Sequence, residues 1–317
     1  MRKFLRSISP FNNETEMSPV LLIVKKILAF WLCYIAGLFI SEALVILLHF
    51  AMGKNMLVGD VFDAQTITLI QLYGYIVIIA VVLLYWKLVE KKPLSAMGIN
   101  KRFGTYFVGA GLAILLLALS VGGILLTGAL KYTGVCENIN VLMIVLLVGG
   151  FIVQSTMEEF LCRGLVLHTL KDNISTPVAV LVSTIMFILP HWSSLFSGEF
   201  IYGILGILNL VLISVIFSML TIRQKSIWGA CGLHSIWNVI LYSILGLNLS
   251  GKDDSSVTVF SIQSVGDNVL NGSVYGIEAS IITAVVLGAC IVVLGFTGRK
   301  SKEREDKKSV CCVGYSK

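Results

Sequence analysis

Residues 141–170 read VLMIVLLVGGFIVQSTMEEFLCRGLVLHTL, with two adjacent carboxylates, Glu158 and Glu159, and one arginine, Arg163, set in otherwise apolar sequence. At about 1.5 Å per residue, a helix of this length is more than long enough to cross a bilayer core of roughly 30 Å. Whether this stretch is a membrane span decides the fold. Ionisable groups inside a span are costly, so each one marks either function or helix–helix pairing.

The rest of the chain supports the membrane reading. Of its 317 residues, 56% are hydrophobic and 13% charged, against about a quarter charged in soluble domains. Eight apolar segments are expected as spans: 27–50, 67–89, 105–130, 141–170, 176–191, 201–221, 226–247 and 278–298. Short alternating segments of the kind a transmembrane barrel needs are absent from the sequence. The expected fold is therefore an all-α, polytopic transmembrane helical bundle. Pro177 suits the first turn of the fifth span, where a missing N–H costs little.

Lysine and arginine placement tests the count. Arg2, Lys3, Arg6, Lys25 and Lys26 precede the first span, and Lys87, Lys91, Lys92, Lys101 and Arg102 follow the second. Lys171 follows the fourth span, Arg223 and Lys225 the sixth, and seven cations fill the tail. The alternate loops hold only Lys54, Lys131 and Lys252. The positive-inside rule thus places both termini in the cytoplasm, as an even number of spans requires. These loops and the tail account for the net charge of +6, so no nucleic-acid partner is needed.

The expected layout is a cytoplasmic arm over 1–26, a membrane domain over 27–298 and a basic tail over 299–317. The basic start runs into polar SPFNNETEMS rather than a signal-peptide core. The seven cysteines form no CxxC pair and read as small buried residues. The polar outer loop at 248–277 reads as a passive connection. Glu42 and His49 share a helix face, Gln71 reads as interhelical glue, and His168 as interfacial.

Three places lie at compatible depths: EEFLCR from Glu158, FILPH ending at His191, and HSIWN from His234 to Asn238. By helical rise, Glu158 lies roughly 20 Å from Lys171, His191 about 22 Å from the start of its span and His234 about 13 Å from Lys225. Tilt absorbs such differences. Glu159 and Arg163 are spaced i,i+4 in the favourable order and read as a supporting ion pair. Glu158 points about 100° away, following 3.6 residues per turn. His234 and Asn238 also share a face, and Phe187 lies one turn from His191. The bland alternative is a polar cluster that only locks helices together.

A carboxylate beside imidazoles in a dry cavity can bind a cation or act as a general base. In the hydrolytic reading Glu158 takes a proton from water, His191 helps orient it, and His234 and Asn238 donate to the oxyanion. A zinc site on Glu158, His191 and His234 is possible but not favoured, because no HExxH motif or cysteine ligand pattern accompanies it. No cofactor is expected. Covalent catalysis through Ser155 or Cys162 is a minor alternative, since neither has a histidine at local spacing.

Taken together, EEFLCRG, FILPH and HSIWN in this order resemble the CPBP intramembrane proteases. These comprise the type II CAAX prenyl endopeptidases and bacterial bacteriocin-processing or immunity relatives. Glu158, Glu159 and Arg163 match EExxxR, Phe187 and His191 match FxxxH, and His234 and Asn238 match HxxxN. The similarity covers roughly 141–247. It implies an intramembrane endopeptidase in which Glu158 and His191 activate water and His234 and Asn238 bind the oxyanion, with Glu159, Arg163 and Phe187 supporting. Partners implied are a lipid bilayer and a membrane-associated or prenylated peptide, and the expected location is a bacterial plasma membrane. Two other classes stay open: a non-catalytic immunity or partner-binding protein, and a transporter lined by Glu42, Glu158 and the histidines.

Overall fold

The computed structural model describes residues 9–12, 17–55, 58–195, 199–249 and 257–313, with side chains as far as Gly298. Arg2, Lys3, Arg6, Lys252 and the side chains of the tail cations fall outside that description.

The principal helices are α1 (Pro19–Ala51), α2 (Ala64–Tyr85), α3 (Thr105–Thr127), α4 (Val141–Glu159), α5 (Thr176–Ile188), α6 (Phe200–Gln224), α7 (Trp228–Val239) and α8 (Ile281–Val313). Their starts follow local chemistry. Ser18 accepts from Leu21 N–H ahead of Pro19, Asp63 caps α2 through Thr66 N–H, and Asn140 caps α4 through Met143 N–H. Pro177 lies in the first turn of α5, as its sequence suggests.

Among the described residues, seven helices are long and apolar enough to cross a membrane. The expected eighth span is α7, with 12 residues of α-helix followed by 5 of π-helix, Ile240–Ile244. It falls short because it runs through the interior, where nearly every side chain is buried. A helix sheathed by other helices needs no lipid-facing length of its own.

Glycine sets how closely α7 approaches α3. A Cβ on Gly232 would lie 2.0 Å from the Tyr106 carbonyl oxygen, and one on Gly109 1.8 Å from that of Gly229. Only backbone-to-backbone contact fits there, which fixes α7 and the residues it carries.

The all-α expectation holds apart from one two-stranded antiparallel sheet. β1 (Leu130–Val135) pairs antiparallel with β2 (Phe260–Ser264), Leu130 opposite Ser264 and Val135 opposite Phe260. The described part of the 248–277 segment, residues 257–277, is thus tied to the bundle by strand pairing. Asn271 Nδ2 donates to the Ala129 carbonyl at 3.1 Å, and Asn248 Nδ2 to that of Val274 at 3.0 Å, folding the segment over one end of the bundle.

The opposite end gathers the sequence-marked basic turns. Lys25 and Lys26 Nζ reach Glu90 at 3.0 and 2.9 Å. Asn100 Nδ2 donates to the Lys225 carbonyl at 2.6 Å and Arg102 Nη1 to that of Gln224 at 2.9 Å. Arg223 donates to the Leu294 carbonyl. The start of α1, the α6–α7 turn and the membrane part of α8 therefore meet at one end, as alternating spans demand.

Candidate active site

α4 changes character at the site. After Glu159 its backbone bonding widens to a π-helix over Phe160–His168, all of it buried. Such insertions recur at functional sites because they turn side chains away from the regular α-helical face. Arg163 lies in this stretch. Its Nη1 donates to Glu159 Oε1 at 3.2 Å, and its Nη2 to Ser214 Oγ at 2.8 Å and to the Ser214 carbonyl at 3.2 Å. The guanidinium carbon sits 4.7 Å from the Phe187 ring and 4.9 Å from that of Phe217. Both Arg163 and Glu159 have no exposed surface. Removing either partner from such a pair typically costs about 3–5 kcal/mol, because the other charge stays buried.

Glu159 does more than hold the arginine. The same Oε1 accepts from His234 Nδ1 at 3.0 Å. His234 is thus fixed in ring orientation, with Phe217 stacked on it at 5.0 Å and Phe187 edge-on at 5.8 Å. Its Nε2 points to Glu158 Oε2 at 3.8 Å.

Glu158 is held from the other side by Gln154. A carboxylate only accepts, so Gln154 presents its amide Nε2, 3.2 Å from Glu158 Oε1. The amide oxygen then accepts from Asn238 Nδ2 at 3.4 Å. Asn238 keeps a second N–H to donate. Glu158 Oε2 is buried and receives no hydrogen bond among the described residues, leaving a lone pair for a proton.

His191 comes from the end of α5. Pro190 lacks an N–H and the helix tightens to a 3₁₀ turn over Leu189–His191. His191 Nδ1 lies 2.9 Å from the Phe187 carbonyl. Because a carbonyl only accepts, Nδ1 carries the proton and neutral Nε2 is an acceptor.

Glu158, His191, His234 and Asn238 line one cavity of about 480 Å³, with Phe187 in its wall. All four sequence-derived site residues are thus brought together. Four further side chains were not singled out as site residues: Gln154, Ser214, Phe217 and Gln71. Gln154 was visible four residues before Glu158 on one helix face. Ser214 was a polar residue in an apolar span, whereas Phe217 carried no signal. Gln71, expected as glue, lines the cavity.

Other expectations separate from the site. Glu42 is exposed on α1 and is not among the residues that line the cavity with Glu158. His49 Nδ1 bonds the Val45 carbonyl at 2.8 Å and packs on Phe62. His168 is buried near Gly98. Cys162 and Cys231 are buried and unbridged. Among the described residues no three His, Cys, Asp or Glu side chains converge as metal ligands, so Glu158, His191 and His234 do not form a ready zinc set.

Against this geometry, residues 140–240 match the family model Type II CAAX prenyl endopeptidase Rce1-like. Over these residues the chain is similar to that family. The match runs from the cap of α4 to α7 and contains every residue of the three motifs, so the resemblance drawn from them holds. No curated protein and no solved structure matches the chain significantly.

Proposed function

We propose that the protein is an intramembrane endopeptidase that hydrolyses a peptide bond with a water activated by Glu158. The observation that carries the reading is the paired tethering at one cavity. Gln154 holds one oxygen of Glu158 and leaves Oε2 open, while Glu159 locks His234 on the facing helix. A polar cluster that served only packing would satisfy its own groups.

Glu158 Oε2 takes a proton from water, whose oxygen His191 Nε2 orients. The resulting hydroxide attacks the peptide carbonyl carbon. Negative charge gathers on the carbonyl oxygen, where the free Asn238 N–H donates. His234 Nε2 donates there when the ring carries its second proton, Nδ1–H remaining on Glu159. Glu158 then returns its proton to the leaving nitrogen as the C–N bond breaks, giving a carboxylic acid and an amine, between which the acid proton afterwards passes. General-base catalysis of this kind contributes roughly 10²–10⁴-fold.

The substrate is a membrane-associated peptide segment, prenylated in the case that names the family, and the setting is a bacterial plasma membrane. The test uses purified full-length protein in liposomes with a farnesylated CAAX peptide and unmodified transmembrane peptides, product release being followed by mass spectrometry. Wild type cuts at least one of them, with and without chelator, and Glu158→Gln at equal folded amount loses at least about a hundredfold in rate. Equal cutting by Glu158→Gln overturns the mechanism, and loss of cutting in chelator with stoichiometric metal overturns its metal-free form.

A further inference from the structure

Gln71 stands within the apolar sequence of α2 and lines the cavity together with Thr68 and Tyr75. The three fall at i, i+3 and i+7, so they share one helix face and form a polar track with a residue on each turn. Gln71 is exposed, and among the described residues no hydrogen bond ties its amide to a neighbouring helix. An amide that served as interhelical glue would spend its N–H and carbonyl groups on the next helix.

Packing sets how far this track lies from the reaction. A Cβ on Gly150 would lie 2.8 Å from Leu72 Cβ, which seats α2 against α4 at that level. Gly150 precedes Gln154 by one turn and Glu158 by two. Tyr75, one turn beyond Gln71, also lines a second, smaller cavity that Glu158 shares. The two helices thus advance together, and Gln71 lies about 12 Å from Glu158 along the axis, at roughly 1.5 Å per residue. An extended chain covers about 3.3 Å per residue, so Gln71 meets substrate main chain about three or four residues from the bond under attack.

Attack on a carbonyl carbon needs a peptide unit taken out of a helix, whose carbonyls are already bonded along the axis. Extending the chain strips N–H and C=O groups of their partners, and in a bilayer each unmatched group is costly. In an extended chain the N–H and C=O of one residue point to the same side, as in the hydrogen-bonded pairs of an antiparallel ladder. A primary amide carries the matching acceptor and donor. We propose that Gln71 clamps the substrate main chain in this form, its Nε2 donating to the carbonyl of one residue and its Oε1 accepting that residue's N–H. Thr68 and Tyr75 offer hydroxyls to the peptide units on either side. The clamp reads backbone rather than side chain, so it sets which bond meets Glu158 without demanding a particular residue at the contact. The proposal rests on the peptidase reading for the identity of the ligand, and its test separates the two.

The probes are the farnesylated and transmembrane peptides of the cleavage assay, together with series in which one amide N–H at a time is replaced by an ester oxygen. Every side chain stays in place. Binding is measured to full-length Glu158→Gln protein in nanodiscs, which removes turnover. One ester, about three or four residues from the bond that wild type cuts, is expected to weaken binding. The loss is roughly three- to tenfold, as for one hydrogen bond. Adding Gln71→Met, which keeps the length of the side chain but lacks the amide, weakens binding of the parent peptide roughly ten- to a hundredfold. In that protein the sensitive ester costs nothing further, since its partner is gone. Ile76→Met, at an exposed apolar position of α2 outside the cavity lining, leaves both the affinity and the ester profile unchanged. Failure of every probe to bind, absence of a sensitive ester, or a profile that survives Gln71→Met overturns the clamp. An ester profile that depends on Gln71, without cleavage by wild type, sinks the peptidase and keeps the clamp. Cleavage with a profile indifferent to Gln71 does the reverse.

Discussion

The two adjacent glutamates divide the work at the site by where each side chain points. Glu159 has no exposed surface and one of its oxygens serves both Arg163 and His234. It therefore positions a histidine as well as neutralising an arginine, a role that spacing along one helix could not show. Glu158 keeps one oxygen open and has the other held by Gln154. Gln154 is accordingly a positioning residue. Gln154→Leu removes the hydrogen bond at similar volume, and a net hydrogen bond of about 1–1.5 kcal/mol predicts a roughly five- to tenfold fall in kcat. KM stays nearly constant and the acidic limb of the pH–rate profile is displaced. A merely structural residue would lower folded yield and leave the profile in place.

At the scale of elements, three departures from regular helix build the site. The π-helical stretch of α4 carries Arg163, the 3₁₀ turn at Pro190 presents His191, and α7 lies against α3 through glycine. Regular 3.6-residue geometry brought the motif residues to one layer but could not say which neighbour each would meet. The most direct test is Gly232→Ala. Its methyl group would collide with the Tyr106 carbonyl, and backbone cannot rotate aside as a side chain does. Overpacking of this kind costs about 1–3 kcal/mol or more. The expected result is a lower melting temperature in detergent and weaker activity per folded molecule, as α7 shifts and takes His234 and Asn238 with it. Gly111→Ala, a glycine on α3 with open space around it, is the neutral control.

For the whole molecule, the basic turns and the first and last membrane helices meet at one end of the bundle, opposite the β1–β2 sheet. The positive-inside rule predicts that this end faces the cytoplasm and that the β1–β2 sheet lies outside. Reporter fusions after residue 317 and within 131–135 test it. A cytoplasm-active reporter works at the first site and fails at the second, and the reverse pattern would invert the bundle.

Hydropathy, charge alternation and three short motifs were enough to read a multi-helix membrane bundle and the residues that meet at its centre. These signals are local: length, composition and i,i+4 spacing are written along the chain, and the bilayer converts them directly into helices. Only the tertiary structure decided that Glu159 reaches His234, that Gln154 links Glu158 to Asn238, and that Glu278 from a loop lines the same cavity. Each of those contacts joins side chains whose separation depends on how helices are rotated and packed: Glu159 and His234 lie 75 residues apart in sequence, and Gln154 and Asn238 84. Packing of that kind is fixed by glycine contacts, π and 3₁₀ turns and the β1–β2 pairing, whose effects on distance cannot be summed from the sequence one residue at a time.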